Sequence, residues 1–204
     1  LAYLNYNDKW SFIDRKGEWI LKPTFSDVGR FSEGLASACL DGKWGYINRK
    51  GEWAIEPAFK RVCCFSEGLA FVCEDDLWGF IDRKGNWAIR PIFFASTYDP
   101  AGFSCGLAPV RWAGGRNWGY INCSGDCVVK GVFEEANCFS EGLASVKHGG
   151  KWGYIDQKGN WVVEPFFTIA SRFSDGLAAV KLDEKWGYID IRGDWVIKPS
   201  FCDA

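Results

Sequence analysis

The chain has 204 residues, 24 of them basic and 26 acidic, and a formal net charge of −2. That length can bury a sizeable core, and that balance gives no bulk attraction to nucleic acid or to an acidic membrane surface. Aromatic residues make up 17%, with 12 Trp and 16 Phe, and no apolar run is long enough for a transmembrane helix, so neither nucleic-acid binding nor membrane insertion is expected.

In chain order, Leu1 opens the sequence without Met and without a signal-like segment, as a trimmed or excerpted domain would. A Trp then recurs at Trp10, Trp44, Trp78, Trp118, Trp152 and Trp186, at intervals of 34, 34, 40, 34 and 34 residues. A fixed period in this range is the mark of a repeat architecture. Trp-Gly-Tyr-Ile, or Trp-Ser-Phe-Ile in the first copy and Trp-Gly-Phe-Ile in the third, runs into a turn such as Asp14-Arg15-Lys16-Gly17 or Asp156-Gln157-Lys158-Gly159. Asp or Asn opens a type I turn by bonding its own backbone, and Gly in the fourth place accepts positive φ as a bulge between two strands. Trp-Ala-Ile or Trp-Val-Val leaves the turn, and a proline follows at Pro23, Pro57, Pro91, Pro165 and Pro199. A third strand begins at the Leu-Ala pairs (Leu1, Leu35, Leu69, Leu107, Leu143, Leu177) and reaches the next Trp through a tight turn such as Asp41-Gly42.

The expectation is therefore an all-β fold, a tandem array of six three-stranded meanders stacked into one antiparallel assembly. The whole chain, 1–204, reads as a single repeat domain with repeats of approximately 1–34, 35–68, 69–106, 107–142, 143–176 and 177–204. One meander cannot bury both aromatic faces, so neighbours must stack. The array is open or closed; closure would pair the Leu1–Tyr6 strand with the last repeat, and an open array leaves two edges in need of cover.

The 40-residue interval interrupts the pattern and splits the array into two halves of three repeats. Residues Phe94 to Ala101 replace a short linker, and Arg111-Trp112-Ala113-Gly114-Gly115-Arg116 replaces a tight turn. The fourth repeat also has Cys127 for the second Trp, Gly131 for the Pro and Cys105 for the Glu. The nine cysteines are odd in number and sit mostly at non-equivalent repeat positions, unlike a disulfide ladder. Reduced thiols and a cytoplasmic location follow, bacterial or, for a secreted effector, the host cytosol. Cys123 and Cys127 are too loosely spaced for a zinc site with His148 as the sole histidine, so no metal or cofactor is expected.

Lys-Trp-Gly-Tyr-Ile-Asp, then Gly-x-Trp-x-Ile-x-Pro-x-Phe, then Phe-Ser-Glu-Gly-Leu-Ala together resemble the WG-repeat (KWG-repeat) family, over essentially the whole chain. Ser11 for the first Gly and the degraded fourth copy depart from it. The resemblance implies an all-β hairpin assembly found mostly in bacterial proteins, a binding module rather than a catalyst. Among members that face eukaryotic hosts it implies ubiquitin or another host protein as partner.

No nucleophile elbow, phosphate loop or His-Glu-x-x-His motif is present, and the chain reads as no enzyme. The repeated Trp-Gly aromatics read as filling between stacked repeats rather than as a stacking platform. Basic turn tips such as Arg49, Lys50, Arg83 and Lys84 fall at one phase, and Glu33, Glu67, Glu141 and Asp175 at another, either as solvated turns or as two patterned edges. The leading reading is a non-catalytic protein-interaction module. Tyr98, Asp99, Arg111, Trp112 and Arg116 are the candidate partner contacts, because they leave the repeat pattern without an evident packing reason. A glycan-binding module using surface aromatics and a structural spacer within a larger protein are the alternatives.

Overall fold

The computed structural model of the chain describes residues 2–94 and 102–202, and every regular element among them is a strand. Two compact halves divide the chain, Leu1–Gly102 and Phe103–Ala204. The boundary falls in the long interval where the repeat pattern breaks.

In the first half, β1 (Ala2–Tyr6) and β2 (Lys9–Ile13) form a hairpin. A four-stranded sheet follows in chain order: β3 (Asp27–Ser32), β4 (Leu35–Leu40), β5 (Lys43–Asn48) and β6 (Trp53–Phe59). The next four strands are β7 (Arg61–Val62), β8 (Leu69–Glu74), β9 (Leu77–Asp82) and β10 (Trp87–Phe94). The second half holds β11 (Leu107–Trp112), β12 (Trp118–Asn122) and β13 (Cys127–Phe133). Two four-stranded sheets complete it. The first comprises β14 (Glu135–Ala136), β15 (Ala144–His148), β16 (Lys151–Ile155) and β17 (Trp161–Phe167). The second comprises β18 (Ile169–Ala170), β19 (Leu177–Leu182), β20 (Lys185–Asp190) and β21 (Trp195–Phe201). All these pairings are antiparallel.

The expected three-stranded meander is present in each sheet from the second repeat on, and most sheets gain a short fourth strand from the linker. Its partner is the Leu-Ala strand, as in Val62↔Val72 and Ala136↔Val146. β1, the strand that closure would pair with the last repeat, is laddered to β2 and is exposed along its length.

Both predicted turn chemistries form. Asp156 Oδ1 accepts the N–H groups of Lys158 and Asn160, at 2.9 and 2.8 Å, and Gly159, at φ 84°, donates to Asp156 O. The Ser-Glu-Gly-Leu turns are type I′, with both central residues at positive φ (Glu67 52°, Gly68 81°) and reciprocal Ser66–Leu69 backbone bonds. A left-handed Glu costs about 1–2 kcal/mol, and here the side chain has work to offset that. Glu33 Oε2 accepts Gly68 N–H at 3.0 Å, and Glu141 Oε2 accepts Gly176 N–H at 2.9 Å. Serines of the same turns reach forward as well: Ser32 Oγ donates to Phe65 O, and Ser140 Oγ to Phe173 O, both at 2.7 Å. These Ser and Glu bonds staple the 32–35 turn to the 66–69 turn and the 140–143 turn to the 174–177 turn. Ser140→Ala leaves a buried carbonyl unmet and is expected to cost about 1 kcal/mol, read as a lower urea midpoint with an unchanged slope.

The core lies between consecutive sheets. In the first half, Tyr46, Ile55, Phe59 and Phe65 pack with Ala70, Val72 and Ile81 of the following sheet. In the second half, Tyr154, Phe167 and Phe173 pack with Ala178, Val180 and Ile189. Buried tyrosines anchor this layer by donating to a linker carbonyl: Tyr46 to Cys63 O, Tyr120 to Asn137 O and Tyr154 to Ser171 O, each at 2.7 Å. Burial pushes these phenols up, so they remain donors at neutral pH. The second Trp of a repeat stands edge-on to the Phe that ends the previous one, as in Phe59–Trp87 (6.0 Å) and Phe167–Trp195 (5.8 Å). The aromatic repeat positions are thus filling between sheets.

Candidate functional site

One edge of each sheet from the second repeat on is a Trp-to-Phe strand: β6, β13, β17 or β21. An outer strand offers unpaired backbone groups to any extended segment that approaches, and proline blunts such an edge by removing a donor. Three of the four carry one, at Pro57, Pro165 and Pro199. The fourth repeat has Gly131 in β13 instead, and its nitrogen stands 2.8 Å from where a Cβ on Gly119 of β12 would be, as the proline nitrogens stand against the glycines of their own neighbouring strands.

Beside that edge lies a cleft of about 410 Å³, lined by Val128, Lys130 and Val132 of β13 and by His148, Lys158 and Trp161 of the following repeat. Val128 and Val132 are exposed, as are Lys130, His148 and Lys158, while Trp161 is half-buried and edge-on to Phe133 at 5.8 Å. His148 Nδ1 lies 3.4 Å from Val132 O, and its ring is 6.3 Å from Trp161. The surface is therefore an apolar strand edge flanked by two ammonium groups and an imidazole. It can hold an extended segment by backbone pairing and favour acidic side chains on it. Among the described residues no three His, Cys, Asp or Glu side chains cluster to hold a metal ion.

Two of the five residues chosen from sequence have a packing role that the sequence did not show. Arg111 follows Val110, which pairs Gly119, and so falls opposite Trp118, where its guanidinium lies over the ring at 5.7 Å. Lys147 takes the same register against Trp152, with its ammonium 6.0 Å from the ring centroid. Arg111 thus keeps the repeat rather than leaving it, and its Nε is buried without a hydrogen-bond partner among the described residues. Trp112 is half-buried, and its ring covers Gly131: a Cβ added there would stand 3.6 Å from Trp112 Cζ3. Arg116 is exposed, in the loop that follows the Trp112–Gly115 turn. Tyr98 and Asp99 lie outside the described residues.

The two charge edges expected from phase are not separate in the first half. Arg83 of a basic turn tip donates to Glu33 O at 2.7 Å, so tip and acidic turn meet. Sequence reasoning also missed Val128, Lys130, Val132 and Lys158 as a surface.

Comparison with known proteins agrees with this architecture. The family model for the WG-containing repeat matches residues 10–44, 44–78, 78–93, 118–152, 152–186 and 186–201, leaving out the irregular middle. No curated protein matches the chain by sequence. Among solved structures, similarity extends to β-propeller-like proteins. A eukaryotic initiation factor matches with TM-score 0.57 at 8% identity, over 84% of this chain and 54% of that one. Hsv2p of Kluyveromyces lactis matches with TM-score 0.55 at 12% identity, over 85% and 62%. The chain thus spans between about half and two thirds of these relatives, and the likeness is one of fold.

Proposed function

We propose, from the premise that this chain belongs to the WG-repeat family, that it is a non-catalytic protein-interaction module. Its partner adds an extended segment to the β13 edge and lays acidic and apolar side chains into the adjoining cleft. The single observation that carries this reading is the β13 edge itself, where exposed Val128 and Val132 stand with the cations Lys130 and Lys158 around one cleft. Backbone pairing gives such a contact its affinity, and the flanking pockets give it selectivity. The odd count of nine cysteines, at mostly non-equivalent repeat positions, fits a reducing, cytoplasmic setting. Ubiquitin or another host protein, implied by the family resemblance, is the partner to try first.

The test compares the parent with Val128→Glu and Val132→Glu, both at exposed positions of β13. Purified ubiquitin and bacterial and eukaryotic lysates are offered to each immobilised protein. Capture of a discrete protein by the parent, reduced at least about tenfold in both variants, with slowed amide exchange along 127–133 in the complex, is the expected result. Capture that both variants retain, or no capture by the parent, overturns the reading.

A further inference from the structure

Thiols are among the side chains most often buried, and Cys39 and Cys73 follow that rule inside their strands. The fourth repeat departs from it. Cys105 and Cys123 are both exposed, and each stands where other repeats mostly carry a charged or amide side chain. Glu33, Glu67, Glu141 and Asp175 hold the place of Cys105 in the turn before the Leu-Ala strand, and Arg49, Arg83 or Gln157 the place of Cys123 at the tip. A thiol at Cys105 has neither the reach nor the charge of the carboxylates that staple one turn to another.

The sheet brings these two places together. Leu107 pairs Asn122 where the β11–β12 ladder ends, so the next position on each strand sets Gly106 beside Cys123. Cys123 Sγ lies 3.9 Å from Gly106 O, and Gly106 directly follows Cys105. Opposed Cα atoms on antiparallel strands are about 4.5–5.5 Å apart and a disulfide spans up to about 7 Å, so an offset of one residue keeps Cys105 within reach. Both backbones are held in place. Ser104 Oγ donates to Phe139 O at 2.7 Å, and Gln157 Nε2 to Cys105 O at 3.2 Å. Asn122 Oδ1 accepts the N–H groups of Ser124 and Asp126 at 3.0 and 2.9 Å. Cys127 is also exposed beside this tip, but its Sγ lies along its own strand, 3.6 Å from Val129 O.

We propose that Cys105 and Cys123 are a modification site, a dithiol that a peroxide closes into a disulfide across the end of β11 and β12. The thiolate of one residue attacks a peroxide oxygen, and the O–O bond breaks to leave a sulfenic acid. The departing hydroxide takes up the proton that the thiol released and becomes water. The second thiol then attacks the sulfenic sulfur, the S–O bond breaks, and the oxygen leaves with that thiol's proton as a second water. Two electrons pass from the sulfur pair to the peroxide. An exposed disulfide of this kind is reopened by a small thiol such as glutathione, which makes the modification reversible in a reducing compartment. The assignment stands whether or not the β13 edge takes a partner.

The experiment treats the reduced 204-residue chain with hydrogen peroxide, alkylates the remaining thiols and maps the unreduced digest by mass spectrometry. The expected product is a link between Cys105 and Cys123 within one chain, with two titratable thiols lost and both regained in dithiothreitol. Cys127→Ser is expected to form the same link as the parent. Cys105→Ser and Cys123→Ser are each expected to lose it, and at least one of them to hold its remaining thiol as a sulfenic acid that dimedone traps. All three positions are exposed, so the variants keep the fold, and the near-UV spectrum checks it. A folded parent whose Cys105 and Cys123 stay unlinked overturns the proposal. So does a link that joins Cys127 to either of them, or one that forms only between chains.

Discussion

Gly153→Ala is expected to lower stability by about 3 kcal/mol, a fall in Tm of roughly 10 °C, although it adds one methyl group and asks for no positive φ. The reason is backbone proximity. A Cβ at Gly153 would stand 2.5 Å from Val163 O and 2.8 Å from Pro165 N, both main-chain atoms of the neighbouring outer strand. A side chain could rotate away; a carbonyl held in the β16–β17 ladder cannot. The strand must lift, and the pairs Tyr154↔Val163 and Ile155↔Trp161 go with it. Gly45, Gly79 and Gly187 meet the same wall at 2.5, 2.6 and 2.6 Å. The first repeat displays the consequence in the native chain. Ser11 stands where the others have Gly, and its hydroxyl donates to Leu21 O at 2.7 Å. The following strand survives there only as the isolated bridges Trp10↔Phe25 and Ile13↔Trp19, although residues 18–25 keep the Trp, Pro and Phe of the repeat. The converse change, Ser11→Gly, should therefore let 19–25 join the ladder. Slower amide exchange across that segment, against faster exchange across 161–167 in Gly153→Ala, checks both signs in one method.

That comparison also marks what a reader of the sequence could and could not see. Strands and turns were legible because their signals are local: Trp-Gly-Tyr-Ile, an Asx-opened turn and a glycine bulge determine one another within about ten residues. The two-residue strands β7, β14 and β18 were not. They are pieces of linker whose pairing is decided by the Leu-Ala strand beside them, with no periodicity of their own. Glu33 and Glu141 recurred visibly, but recurrence could not say that each carboxylate meets a glycine amide 35 residues away. Arg111 was misread for a different reason. Two inserted residues after it made the loop look irregular from Arg111 onward, whereas the strand keeps its register through Val110↔Gly119 and the irregularity begins at Trp112. The β13 edge was not legible because only the sheet order shows which strand ends a sheet.

The second large effect expected is that Phe167→Ala costs about 4 kcal/mol while Phe201→Ala, the same motif position one repeat later, costs about 1 kcal/mol. Phe167 is 3% exposed and meets Trp195 at 5.8 Å with the rings 86° apart, so truncation opens a cavity and strips one side of the indole. Phe201 is 47% exposed, and most of what alanine removes there was already in water. In a repeat protein the first loss is also a loss of coupling, because each sheet is held mainly by its neighbours. Phe167→Ala should therefore release β18–β21 ahead of the rest. Equilibrium urea unfolding reads the two costs. The form of the Phe167→Ala curve reads the coupling: an early, shallow first transition belongs to a last repeat that melts alone, and a single steep transition at lower urea would mean that the three repeats of this half unfold as one.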